Sequence, residues 1–273
     1  MKKIFAGFIL PLLILGFTSL SSCKDRASKE QREKEQKEID TLASEIETHI
    51  YPLPTSADVI KMLTDLDVGF QFGITNPVEN SKKYFISSTR AINLGVYGAD
   101  LSYSTLYNQE QKVIEYLDVI RALANELNMS KIYDQEMYTK IKDNFDNRDT
   151  LVTILEKAFN DTYAFLAEND QQANALLVVG GAWVEGMYLT THVSEAAYQV
   201  AGISRVLLEQ KESFDTFLEI TAPYMSELSV AEFVKKLDPI KSVYAGIGTS
   251  LTEQNIKDIT TAITGIRQQI VEL

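Results

Sequence analysis

The chain has 273 residues, 45% of them apolar and 10% aromatic, with 26 Lys and Arg against 38 Asp and Glu for a formal charge of −12. That length and apolar share suffice for one large domain or two modest ones, and 13 Gly, 6 Pro and one Cys exclude a collagen-like fibre, global disorder and a disulfide scaffold. The acidic balance repels phosphate backbones and excludes nucleic acid as the main partner, while two His and one Cys leave few zinc arrangements open.

The first segment reads as a targeting signal over residues 1–22. Lys2 and Lys3 form a basic start, and the apolar stretch from Ile4 to Phe17 has the length of a signal-peptide core and is short for a membrane span. It ends in Leu20-Ser21-Ser22-Cys23, with small side chains before the only thiol of the chain. These four residues resemble the lipobox of bacterial lipoprotein precursors. The resemblance implies cleavage before Cys23, a covalent lipid (diacylglycerol and a further acyl chain) on that residue, and durable membrane attachment. Lys24 stands where an inner-membrane retention signal has Asp, so the implied address is the outer membrane. Loss of Lys2 and Lys3 with the signal takes the charge from −12 to −14, and a body so acidic is expected to stand off the membrane surface.

Residues 23–38 read as a charged tether. The run from Lys24 to Glu38 holds six Lys or Arg, five Asp or Glu and no large apolar side chain, so it buries nothing. Glu30 with Lys34 and Glu33 with Lys37 have helix-compatible spacing. From Ile39 onward Leu42, Ile46 and Ile50 begin an apolar period that Pro52 and Pro54 stop, and residues 39–273 read as the helical domain.

Within that domain a 3.6-residue period predicts helices almost throughout. Val59, Ile60, Leu63 and Leu66 mark a short one. Gly69 to Thr75 reads as a loop, and Asn76-Pro77 as a cap with proline at the first position of a long helix over 78–107. Val113, Leu117, Ile120, Leu123 and Leu127 give the next helix, ended near 128–131. Further helices follow near 132–145, from about Asp149, and over 171–192, 194–222, 226–237 and 251–272. Breaks fall at Asn169-Asp170, Pro223, Asp238-Pro239 and Gly246–Gly248. The fold class is all-α, a multi-helix bundle of seven to nine helices.

Sliding the chain by 85 residues lays Gly95 on Gly180, Asp100 on Glu185, Tyr103 on Tyr188, Thr105 on Thr190 and Glu110 on Glu195. If this reflects a duplication, the bundle has two pseudo-symmetric halves, each with a glycine-bearing long helix. Glycines inside helices cost about 1 kcal/mol each against Ala, so Gly95, Gly98, Gly180, Gly181 and Gly186 call for close helix approach or a ligand cavity in return.

On the helix near 171–192, Gly181, Glu185, Tyr188, His192 and Glu195 form one stripe, with Leu176, Val179, Trp183 and Met187 opposite. A helix apolar on so many sides is central, which places Glu185 and His192 in or near the core, where ionisable groups pair or shift their pKa. Glu185, His192 and Glu195, with Asp100, are therefore the candidate ligand or metal residues; the alternative is a solvated stripe. His192-Val193-Ser194-Glu195 has the H-x-x-E spacing of imelysin-like proteins, whose motif is G-x-H-x-x-E; Thr190 stands at the glycine position. That resemblance implies a helical, two-bundle, lipid-anchored protein linked to iron. A third reading has Tyr97, Tyr103, Tyr107, Tyr188 and Tyr198 lining a cavity for an apolar or glycan ligand. No G-x-S-x-G, P-loop, G-x-G-x-x-G or H-E-x-x-H motif occurs, so no catalytic residue and no cofactor besides the lipid on Cys23 is singled out. The leading reading is a lipid-anchored envelope protein that binds a protein or small molecule or serves as a scaffold. In type it resembles helical envelope lipoproteins of Gram-negative bacteria, Bacteroidota above all.

Overall fold

The computed structural model describes Lys34, Lys37 and residues 69–193 and 201–272. The chain divides into two units, Met1–Glu38 and Ile39–Leu273. In the first, Lys34 and Lys37 are helical. In the second, the described residues form nine α-helices and no strand: α1 Ser87–Leu106, α2 Glu110–Glu126, α3 Gln135–Lys142, α4 Arg148–Glu168, α5 Gln172–His192, α6 Ala201–Thr221, α7 Leu228–Lys236, α8 Asp238–Ala245 and α9 Glu253–Val271. This is an all-α bundle. The helices expected over 39–50 and near 59–66, and the stop at Pro52 and Pro54, lie outside the described residues, as do positions 194–200 before α6.

The bundle is built around α5, whose buried residues lie on every side of the helix. Its closest neighbour is α1, and the two run side by side in the same direction. Asn174 donates to Ser87 Oγ at 2.9 Å near their starts, the two glycine contacts follow, and Asp100 meets Glu185 further along. The glycine contacts mirror one another. A Cβ on Gly95 would stand 2.0 Å from the Val178 carbonyl oxygen, and one on Gly181 2.0 Å from that of Ile92. Backbone touches backbone, so the propensity cost of both glycines is offset by close approach. Gly180 is turned the other way, against the rings of Phe233 and Phe217, and Gly98 faces open space. On that far side of α5, Trp183 stacks on Phe214 with ring centroids 5.0 Å apart and donates Nε1–H to Gln210 Oε1 at 3.0 Å, which fixes α6.

Helix ends follow local chemistry. Asp134 caps α3 by accepting the Met137 N–H, Asn147 caps α4 by accepting the Thr150 N–H, and Thr252 with Asn255 forms a reciprocal box at the start of α9. Asn108, Asn128 and Asp170 close α1, α2 and α4 in the left-handed region, each followed by an N–H that reaches five residues back, to Ser104, Ala124 and Leu166.

Three expectations are corrected. The single helix over 78–107 is a 3-10 turn, Val78–Lys83, then an extended corner at Ile86, then α1. The corner exists because Tyr84 is drawn inward, where its hydroxyl donates to the Val271 carbonyl at 3.1 Å and accepts from Asn76 Nδ2. Asn76 is accordingly no cap: it is fully buried, and the residue at the start of the 3-10 turn is Pro77. Asp238-Pro239 is both a break and a beginning, since proline tolerates the first turn of the short α8.

The last turn of α9 is received by side chains from the other end of the described body. Asn93 donates to Ile270 O at 2.9 Å and Tyr84 to Val271 O, satisfying carbonyls that have no partner within their own helix.

Candidate functional site

The polar stripe of α5 meets two different surfaces. At Gly181 it lies on α1; from Glu185 to His192 it faces α9. Glu185 is completely buried, and both its oxygens are held by Arg267: Nε donates to Oε2 at 2.8 Å and Nη2 to Oε1 at 2.9 Å. The remaining Nη2 hydrogen goes to the Ile74 carbonyl at 3.1 Å. A two-pronged guanidinium pair of this kind is the geometry that makes a buried carboxylate tolerable. Burial by itself works against the charge on Arg267, but Glu185 outweighs it and holds the guanidinium above its usual range.

Asp100 completes the centre from α1. It too is wholly buried; Oδ2 accepts the Asn76 N–H at 3.0 Å, and the side chain lies within hydrogen-bond reach of Glu185. Oδ1 has no donor among the surrounding N–H and O–H groups. Burial first, and the Glu185 charge second, push the Asp100 carboxyl well above the ordinary carboxylate range, against the pull of Arg267.

His192 does not join these carboxylates. Its Nδ1 lies 2.7 Å from the Tyr188 carbonyl one turn back, which places the ring proton on that nitrogen, and Nε2 faces Thr264 Oγ1 at 3.4 Å. The imidazole stacks on Tyr188 at 3.9 Å, and the Arg267 guanidinium lies 4.2 Å from the Tyr188 ring centroid. Burial lowers the His192 pKa; the carbonyl bond opposes this and the Arg267 charge adds to it. The result is a neutral imidazole at physiological pH.

Of the candidate ligand or metal residues, Asp100 and Glu185 converge, His192 is separated from them by Tyr188 and Arg267, and Glu195 lies outside the described residues. Both Glu185 oxygens are engaged by a cation of the protein itself. Among the described residues no three His, Cys, Asp or Glu side chains are grouped as a metal site. The tyrosines are divided as well. Tyr97 is buried with its hydroxyl on Pro77 O at 2.8 Å, and Tyr103 stacks on Phe70 while accepting the Gln71 N–H. Burial pushes the Tyr103 hydroxyl up to about 12. Tyr107 packs edge-on to Tyr103, Tyr188 belongs to the α9 stack, and Tyr198 lies outside the described residues. Along the glycine contacts, backbone fills the space between α1 and α5.

Arg267 was not among the sequence candidates, although it carried a signal. Ile256, Ile259, Ile263, Ile266 and Ile270 repeat at helical spacing, and Arg267, four residues after Ile263 and three before Ile270, borders that stripe. A cation there needs a buried anion. Between α3 and α4 an open groove of about 260 Å³ is lined by Ile132, Met137, Ile154 and Ala158 among others. Two ion pairs, Lys140 with Glu136 at 2.7 Å and Lys157 with Asp161, also line it. No known protein family, curated protein or solved structure matches the chain.

Proposed function

We propose that the chain is a lipid-anchored cell-envelope protein, carried by the outer membrane through Cys23, whose acidic helical body is a binding or scaffold module. The observation that carries this reading is Leu20-Ser21-Ser22-Cys23, directly after a basic start and an apolar stretch and directly before a run of mixed charge. Among the described residues no helix is long and apolar enough to cross a membrane. Support for a binding role comes from the segment leading into α1, where Phe72 is 78% exposed, Phe85 76% and Ile86 62%. Large apolar side chains held out at the surface are what a partner protein covers.

The test is Cys23→Ala in the full precursor. The native chain is expected to incorporate labelled fatty acid, lose its signal and fractionate with the outer membrane, and the variant to do none of these. Equal processing and equal membrane attachment of the two chains would overturn the anchor. Chemical cross-linking of the native protein in cells, with Phe72→Ser and Phe85→Ser as comparison, tests the binding face.

A further inference from the structure

Two carboxyl groups within hydrogen-bond reach of each other form a bond only if a proton lies between them. Asp100 and Glu185 are in that position, both completely buried. The remaining valences of the pair are assigned. Arg267 takes both oxygens of Glu185, and the Asn76 N–H takes Oδ2 of Asp100. Only Asp100 Oδ1 lacks a donor, and a hydroxyl there that donates to Glu185 completes the arrangement with a net charge of zero for the three side chains.

We propose that Asp100 and Glu185 hold one proton between them, and that this proton locks the junction of α1, α5, α9 and the segment 69–77. Segment 69–77 is tied to the centre by two bonds, Asn76 N–H to Asp100 and Arg267 to Ile74 O, and to α1 by Gln71 N–H to the Tyr103 hydroxyl, Tyr97 to Pro77 O and the stack of Phe70 on Tyr103. Loss of the proton strengthens the Asn76 N–H bond to the carboxylate, so the tie it weakens is the one from Arg267 to Ile74. When the proton leaves to solvent, two carboxylates compete for one guanidinium in a place water does not reach, and the Arg267 contact with Ile74 is drawn into that competition. The segment loosened at Ile74 carries Phe70 and the exposed Phe72, so the lock acts on the apolar surface next to α1.

The surroundings favour the protonated form. Among the described residues, Tyr97 and Tyr103 on α1, Tyr84 before it, Tyr116 on α2 and Tyr188 on α5 are the other titratable groups around the pair, and burial raises the pKa of each, so all are neutral. His192 beyond Tyr188 is neutral at physiological pH as well. Among the described residues Arg267 is the cation facing Asp100, and Glu185 already occupies it. An Asn at position 100 would make the same two bonds, Oδ1 accepting from Asn76 and Nδ2 donating to Glu185, at no cost in proton affinity. What Asp adds to that geometry is the ability to titrate.

The sign follows from linkage. The folded chain keeps a proton that the unfolded chain loses in the ordinary carboxylate range, so this site's contribution to stability falls as pH rises from that range toward the folded-state pKa. For one proton, the unfolding equilibrium constant rises about tenfold per pH unit within that window. Other carboxylates titrate too, so the reading is the difference between the native chain and Asp100→Asn. The variant is expected to lack this part of the pH dependence and to be relatively more stable at neutral and alkaline pH. Amide exchange over 69–77, compared at equal pH, should accelerate with alkalinity in the native chain beyond its rate in the variant. Parallel stability profiles and equal exchange in both chains would overturn the lock. Infrared spectroscopy decides the proton itself without relying on a variant that folds. At neutral pH the native protein should show the carbonyl band of a buried carboxylic acid, and absence of that band would overturn the proposal. Loss of the band in Asp100→Asn would assign it.

Discussion

The two ends of α5 solve the same problem in opposite ways. Through its first half, beyond the Asn174 bond to Ser87, the helix is held to α1 by backbone contact, with glycine at Gly95 and Gly181. Toward its end it is held to α9 by a charged pair, a cation over an aromatic ring and a stacked imidazole. The first end depends on shape, because a helix backbone that touches another has no room to adjust. The second depends on charge balance, because buried ions are stable only with all partners present. The difference teaches where each end is fragile.

The largest effect is expected at the charged end. Arg267→Ala leaves Glu185 buried without its cation and is expected to cost about 3–5 kcal/mol, read as the shift of a urea unfolding midpoint at constant slope. Combining Arg267→Met with Glu185→Gln removes both charges and should recover most of that loss, since the penalty lies in the uncompensated ion. If the double variant is as unstable as Arg267→Ala, the packing of Arg267 on Tyr188 matters more than its charge.

At the glycine end, Gly95→Ala and Gly181→Ala each force a methyl group against a carbonyl oxygen of the facing helix. Each is expected to cost about 1–3 kcal/mol by overpacking. These losses should not depend on pH, in contrast with every substitution in the Asp100 and Glu185 centre. A pH-dependent loss at Gly181 would mean that the two ends are mechanically coupled through α5.

The same contrast explains what the sequence disclosed. Apolar periodicity places α5 and α9 within a residue or two of their observed ends, and the end of α2 within one, because the apolar runs are long and bounded by clear breaks. The break at 84–86 was hidden, since it exists for a bond between Tyr84 and Val271 that joins distant parts of the chain. At the site, Glu185 was legible as an acid on a glycine-bearing helix in or near the core, and Asp100 only through its superposition on Glu185 at the 85-residue offset, which coincides with their meeting across α1 and α5. His192 shared the stripe, yet its ring bonds back to its own helix, which spacing alone does not reveal. Arg267 was legible only to a reader who asked why a cation borders an isoleucine stripe.

The smallest prediction isolates the geometry of the seam from helix propensity. Gly98 lies one turn beyond Gly95 on the same helix, but a Cβ there meets nothing within 4 Å. Both positions carry the same intrinsic penalty for glycine, so their alanine variants differ only in what the methyl group strikes. Gly98→Ala is expected to stabilise the chain by up to about 1 kcal/mol, where Gly95→Ala destabilises it. Thermal unfolding of the two variants side by side makes the comparison. If both shift in the same direction, the contact of α1 with α5 is looser than a backbone touching a backbone, and close approach no longer explains the glycines.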